Sequence, residues 1–180
     1  MEKQDCILWL VDIQKALFPL ILDHEKLRKK LLFLISGAKL LEIPLFVTEQ
    51  YPKGIGETIP EICSLLGSTP RVSKTAFSGF QDSKISALIK ESGKKVWILA
   101  GIETHICIFQ SAKDLVNAGF EVIVLRDCVG GRHREDHDSA IDELSLLGIR
   151  ITTSETLFFE LMRDKDSPYF KPIQQLIKNV

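Results

Sequence analysis

The chain of 180 residues has almost no net charge: 23 Lys and Arg stand against 24 Asp and Glu, leaving −1 at pH 7. It therefore lacks the basic field that would draw nucleic acid or an anionic membrane surface. Cysteine is scarce as well, with four residues at 6, 63, 107 and 128 and no C-x-x-C pair. A chain of this size can bury a full core without disulfides, so its few thiols suggest a reducing, cytoplasmic compartment. Cys6, Cys63 and Cys128 read as small buried hydrophobes. Long hydrophobic runs are missing too. The richest stretch, Leu31 to Val47, is interrupted by Lys39, Glu42 and Pro44, so no membrane span is expected. The opening Met1-Glu2-Lys3-Gln4-Asp5 does not have the pattern of a secretory signal. With no repeat, linker or low-complexity segment in view, one domain over residues 1–180 is expected.

What the chain does have is alternation. Short apolar runs, 6–11, 44–48, 70–74, 95–100, 121–125 and 149–152, read as buried strands. Amphipathic stretches separate them. Leu27, Leu31, Leu34, Ala38 and Leu41 form one helical stripe within 25–42. Helices are also expected over 82–92, 104–118, 135–147, 154–162 and 168–179, with Asp82 and Ser154 as N-caps. Such alternation predicts an α/β fold: a three-layer α/β/α, Rossmann-like parallel sheet of about six strands with helices on both faces. The stretches 49–58 and 126–134 read as irregular loops at the carboxyl edge of that sheet, where a ligand would bind.

Three strand ends present chemistry. The first run ends in Val11-Asp12-Ile13-Gln14, the third in Ser73-Lys74-Thr75, and the fourth leads through Gly101-Ile102-Glu103-Thr104-His105-Ile106 to Cys107. An acid, a cation and a thiol thus emerge on one edge of one sheet, as an activated nucleophile requires. Cys107 falls in the first turn of a predicted helix, where the helix dipole favours the thiolate. His105 is too close to Cys107 along a helix to face it, so a Cys–His dyad is not expected. His133 and His137 have metal-binding spacing, yet their strongly charged segment reads better as a solvated helix start.

These segments resemble the isochorismatase-like cysteine hydrolases, in the isochorismatase-domain-containing branch. The resemblance rests on "LWLVDIQKALFP", "RVSKTAFSGF" and "AGIETHICIFQSA", and extends to "VTEQYPKGIGETIPEI" and "TTSETLFFELMRDKDSPYFKPI". It implies an Asp12–Lys74–Cys107 catalytic triad and a cis peptide at Ile102–Glu103. It also implies an oxyanion hole from the backbone N–H groups of Glu103 and Cys107. The implied activity is hydrolysis of a small amide, carbamoyl or related acyl compound through a Cys thioester. Nicotinamidases of the superfamily carry Asp-x-His after the second strand; here Glu49-Gln50-Tyr51 stands there, so neither a metal nor any other cofactor is expected.

Phe18, Gln50, Phe77, Phe80 and His105 are candidate walls of the substrate pocket. The expected partners are a small-molecule substrate and further copies of the chain, a homo-oligomer, with the apolar segment from Tyr169 to Ile177 as the interface. Two other functions remain open at this point: a true isochorismatase that cleaves a vinyl ether, and a binding or scaffold protein without activity.

Overall fold

The computed structural model describes residues 1–178. Six strands, β1 (Cys6–Val11), β2 (Leu45–Gln50), β3 (Arg71–Lys74), β4 (Val96–Ile102), β5 (Glu121–Gly130) and β6 (Arg150–Thr152), form one sheet in the order β3-β2-β1-β4-β5-β6. Every pairing in it is parallel. The helices are α1 (His24–Leu40), α2 (Pro52–Ile55), α3 (Pro60–Leu66), α4 (Ser83–Glu91), α5 (Phe109–Asn117), α6 (Arg134–Leu146), α7 (Ser154–Met162) and α8 (Phe170–Ile177).

β1 shows how two cores arise from one strand. All six of its residues are buried, and side chains alternate between the faces of a sheet. Cys6, Leu8 and Leu10 enter a core with Leu31 and Leu34 of α1, Ile62 of α3, Phe158 of α7 and Ile173 of α8. Ile7, Trp9 and Val11 enter a second core with Ile85 of α4, Ala112 of α5 and Ile141 of α6. Three layers follow, α/β/α, as the alternation predicts.

The helix ends show where local chemistry decided the boundaries. Asp82 caps α4 by accepting from the N–H groups of Lys84 and Ile85. α7 is capped one residue earlier than expected: Thr153, not Ser154, accepts from Thr156 N–H, while Asp127 holds Ser154 from outside the helix. Two short helices, α2 and α3, occupy ground that reads as loop, and each opens on a proline at its first position. Cys63 lies within α3. β5 continues to Gly130, so part of the expected 126–134 loop is strand. The register of β5 against β4 shifts between Leu99 and Gly101 to accommodate it.

α8 packs on α1 and α7. Ile173 is fully buried, and Tyr169, Phe170, Leu176 and Ile177 lie against the core. The apolar face expected to meet another subunit is thus largely used within the chain. Asn179, the end of the expected terminal helix, falls outside the described residues. Among the described residues no helix is long and apolar enough to cross a membrane.

Candidate active site

β1 and β4 lie side by side at the centre of the sheet, and the chain builds outward from them in opposite directions. Open parallel sheets bind ligands at such a reversal, beyond the carboxyl ends of the strands. Asp12 follows β1 directly, and Cys107 lies in the π-type turn Thr104–Ile108 that links β4 to α5. Gly101 allows the close approach of the two strands. Its φ is 129°, and a Cβ there would lie 2.1 Å from the Val11 carbonyl oxygen.

Asp12 adopts a left-handed backbone conformation, with φ 55°. Short polar side chains tolerate that region better than most, at a cost on the order of 1 kcal/mol. The residue is held from three sides. Its N–H donates to the Thr48 carbonyl at 3.1 Å. The Thr48 hydroxyl donates to Oδ1 at 3.0 Å, and Lys74 Nζ donates to Oδ2 at 2.6 Å. Lys74 also reaches Gln50 Oε1 at 2.6 Å and the carbonyls of Ala76 and Phe77, each at 3.2 Å. An ammonium has three hydrogens, so four acceptors leave none free for a ligand. The Lys74 and Asp12 side chains are 0% and 1% exposed. Such burial is tolerated only because each partner is fully hydrogen-bonded.

Burial pushes the Asp12 carboxyl above the usual carboxylate range, and the Lys74 charge opposes that rise without cancelling it. Burial also pushes the Cys107 thiol up to about 12; the Asp12 carboxylate beside it adds to the rise, and Lys74 works against it. Desolvation and the neighbouring carboxylate thus act against the thiolate expected at a helix N-terminus. A neutral thiol beside an ionised carboxylate of raised basicity can pass its proton to that carboxylate and become a nucleophile.

The Ile102–Glu103 peptide bond is cis. The Glu103 carbonyl accepts from the N–H groups of Ile106 and Ile108, at 3.1 and 3.2 Å, and so folds the turn that carries Cys107. The Glu103 side chain is 7% exposed and pairs with Arg132, whose Nε lies 2.6 Å away. Arg132 N–H donates to the same carboxylate at 3.1 Å. Glu103 thus ties the turn to the segment after β5.

Residues 6–156 match the model of the Isochorismatase domain. The chain belongs to the isochorismatase domain family. Isochorismatase domain-containing protein 1 of Danio rerio is 43% identical over 81% of this chain, and the chain spans about half (51%) of that protein's length. In structure, the MAR1 ribonuclease of Caenorhabditis elegans superposes with a TM-score of 0.92 at 34% identity, over 99% of this chain and 92% of that one. The YcaC gene product of Escherichia coli, an octameric hydrolase of unknown specificity, gives 0.89 at 25% identity, over 99% and 95%. The fold is thus that of the isochorismatase-like hydrolases.

The remaining candidate residues of this isochorismatase domain divide. Gln50 contacts Lys74 directly, and its Nε2 donates to the Thr75 carbonyl at 2.7 Å. Phe77 is largely exposed, and its carbonyl serves Lys74. Phe18 is buried in the core with Ile21 and Leu27, so packing takes up most of its ring. Phe80 lies against Phe120, with Lys90 over its ring, and faces the α4 side. His105 turns toward α6: its nitrogens lie 3.7 Å from Glu103 and 3.8 Å from Asp136.

His137 accepts or donates to Thr104 Oγ1 at 2.9 Å, and burial holds its pKa below the ordinary value. Its ring thus has a side-chain partner on the turn that carries Cys107. Among the described residues no group of three or more His, Cys, Asp or Glu is placed to hold a metal. Glu49, where a metal motif would start, accepts from Thr58 N–H and Oγ1 at 2.8 and 2.7 Å. A cleft of about 200 Å³ lies between the starts of α1 and α6, lined by Leu22, Asp23, Lys26, His133, Arg134 and His137 among others.

Sequence reasoning missed Thr48, Trp9 and Gln14. Gln14 clamps the Gln50 backbone through both ends of its amide, at 2.7 and 2.9 Å. Thr and Trp are common strand residues, so nothing in their identity marks them. A Gln two residues past a strand-end Asp was the one available signal.

Proposed function

We propose that the protein is a metal-independent cysteine hydrolase of a small amide, carbamoyl or related acyl compound. Cys107 Sγ attacks the carbonyl carbon, and its proton passes to Asp12. The backbone N–H groups of Glu103 and Cys107 receive the developing oxyanion. Asp12 then returns the proton to the leaving nitrogen, and water hydrolyses the thioester. Lys74 holds Asp12 in place and balances the charge that moves between carboxylate and sulfur, without touching substrate.

The observation that carries this reading is the 2.6 Å Lys74–Asp12 pair, sealed from water, with the Cys107 thiol against the same carboxylate. Removing one oxyanion donor in such a site typically costs on the order of 100-fold in rate. The net charge of −1 favours a small substrate over RNA, although the nematode relative is a ribonuclease by name. The octameric bacterial relative supports assembly into a homo-oligomer.

The test is a panel of small amides and carbamates, read by release of ammonia or amine. Turnover is expected with the unaltered protein, together with an acyl adduct on Cys107 by intact mass. It should vanish in Cys107→Ala while the thermal melt stays cooperative. Activity that survives Cys107→Ala but is lost in Asp12→Asn would replace this reading with vinyl ether cleavage. No turnover of any amide or carbamate, with RNA degraded instead, would overturn it.

A further inference from the structure

Trp9 and Trp97 are both fully buried, and their rings meet edge to face at 5.7 Å. Their indole N–H groups are treated differently. Trp97 Nε1 has no hydrogen-bond partner, whereas Trp9 Nε1 donates to Thr48 Oγ1 at 3.1 Å. This core tolerates an unpaired indole, so burial alone does not account for the aim of Trp9. The Trp9 ring is also fixed in place. It packs edge-on against Phe46 at 5.5 Å, and a Cβ on Gly79 would come within 2.4 Å of it.

An indole nitrogen can only donate. The Thr48 hydroxyl must therefore accept from Trp9, and its single hydrogen is left for Asp12 Oδ1, 3.0 Å away. Without the indole, both lone pairs of that hydroxyl are open, and it could turn to accept a hydrogen bond from a protonated Asp12. With it, one lone pair is occupied and the hydrogen is directed at Asp12 Oδ1, an arrangement that suits an ionised carboxylate. All three residues are at most 1% exposed, so water cannot take over the task.

We propose that Trp9 and Thr48 are positioning residues for Asp12: the indole sets the direction of the Thr48 hydroxyl, which holds the carboxylate ionised and aligned to receive the Cys107 proton. In that transfer the S–H bond breaks and an O–H bond forms on Asp12. The negative charge moves to sulfur, still beside the Lys74 ammonium. This inference rests on the hydrolase reading of the site. The Thr48 bond lowers the carboxyl pKa against the opposing effect of burial, so losing it moves the ionisation of Asp12 to higher pH.

The experiment follows alkylation of Cys107 by iodoacetamide across pH, quantified on the Cys107 peptide, in the full chain and in four variants. The unaltered protein should show an acidic limb, because Asp12 must be ionised to accept the thiol proton. Thr48→Val keeps the shape and loses the donor; its limb should move up by about one pH unit, the scale of a hydrogen bond to a charged group. Trp9→Phe should move it the same way by less, and Thr48→Ser should restore it. A purely structural role would lower the melting temperature and leave the limb in place. The proposal is overturned if the limb stays put in Trp9→Phe and in Thr48→Val, or in Trp9→Phe alone where Thr48→Val does not fold, while Asp12→Asn abolishes it. If Asp12→Asn itself leaves the profile unchanged, the hydrolase reading falls first.

Discussion

Two buried thiols, Cys107 and Cys128, each stand beside a carboxylate and a lysine, and the two carboxylates are engaged differently. Around Cys107 stand Asp12 and Lys74; around Cys128 stand Asp127 and Lys30. In both, burial is the main force raising the thiol pKa, the carboxylate adds to it and the lysine opposes it. The difference is what the carboxylate is free to do. Both Asp127 oxygens are committed to the start of α7, accepting from Ser154 N–H at 2.8 Å and Ser154 Oγ at 2.6 Å. Lys30 is 3.8 Å from Asp127 and keeps a quarter of its side chain in solvent. Cys128 is sealed inside β5, its Sγ 3.6 Å from the Lys30 carbonyl. The Asp12 oxygens accept from the Thr48 hydroxyl and the Lys74 ammonium rather than from a helix start, and Cys107 lies in the turn between β4 and α5.

The comparison breaks most visibly at the carboxylates. Asp12→Asn removes the proposed base and should lower amide turnover by at least about 100-fold. Asp127→Asn should leave turnover within about two-fold and instead cost roughly 1–2 kcal/mol of stability, because the cap of α7 is weakened. Steady-state rates and urea unfolding on both variants check the contrast. Equal losses of activity would mean that both clusters serve the reaction.

The lysines give a contrast in stability. Lys74→Met leaves a buried carboxylate unpaired, and breaking such a pair costs on the order of 3–5 kcal/mol. Lys30→Met removes a longer, partly solvated ion pair, whose worth is about 0–1 kcal/mol. Denaturant midpoints should separate the two variants clearly. A Lys74→Met protein as stable as Lys30→Met would show that water reaches Asp12.

Much of this was legible in the chain. The six strands and three layers follow from apolar runs separated by amphipathic stripes, a pattern that needs no tertiary information. Asp12 and Lys74 follow apolar runs and Cys107 lies a turn beyond one, but what joined the three in the sequence was the resemblance of their segments to the isochorismatase-like hydrolases. What escaped depends on contacts across distant segments. Thr48 looks like an ordinary strand residue until Trp9, on the neighbouring strand, donates to it. That His105 lies near Glu103 and Asp136 depends likewise on how the turn and α6 pack. The thiol's surroundings are legible only in part for a related reason: a helix start is visible in sequence, whereas the desolvation that opposes it is set by the packed fold.

The smallest expected effect concerns what the buried thiols share. Burial raises Cys6 from 9.0 to about 11 and Cys107 from 9.0 to about 12, and raises Cys128 in the same direction. A group whose pKa is higher in the folded state holds its proton more tightly there. Its contribution is complete below the unfolded value and is lost as pH climbs toward the folded one. Stability should therefore be insensitive to these thiols at pH 7 and fall between pH 9 and 11, where the unfolded chain has released protons that the folded chain retains. Urea midpoints across that window should decline, and Cys6→Val, which removes one buried thiol without touching Asp12 or Asp127, should flatten the decline. An unchanged slope in Cys6→Val would assign the alkaline loss to other groups. Cys107 and Cys128 would then have to be tested for it one at a time.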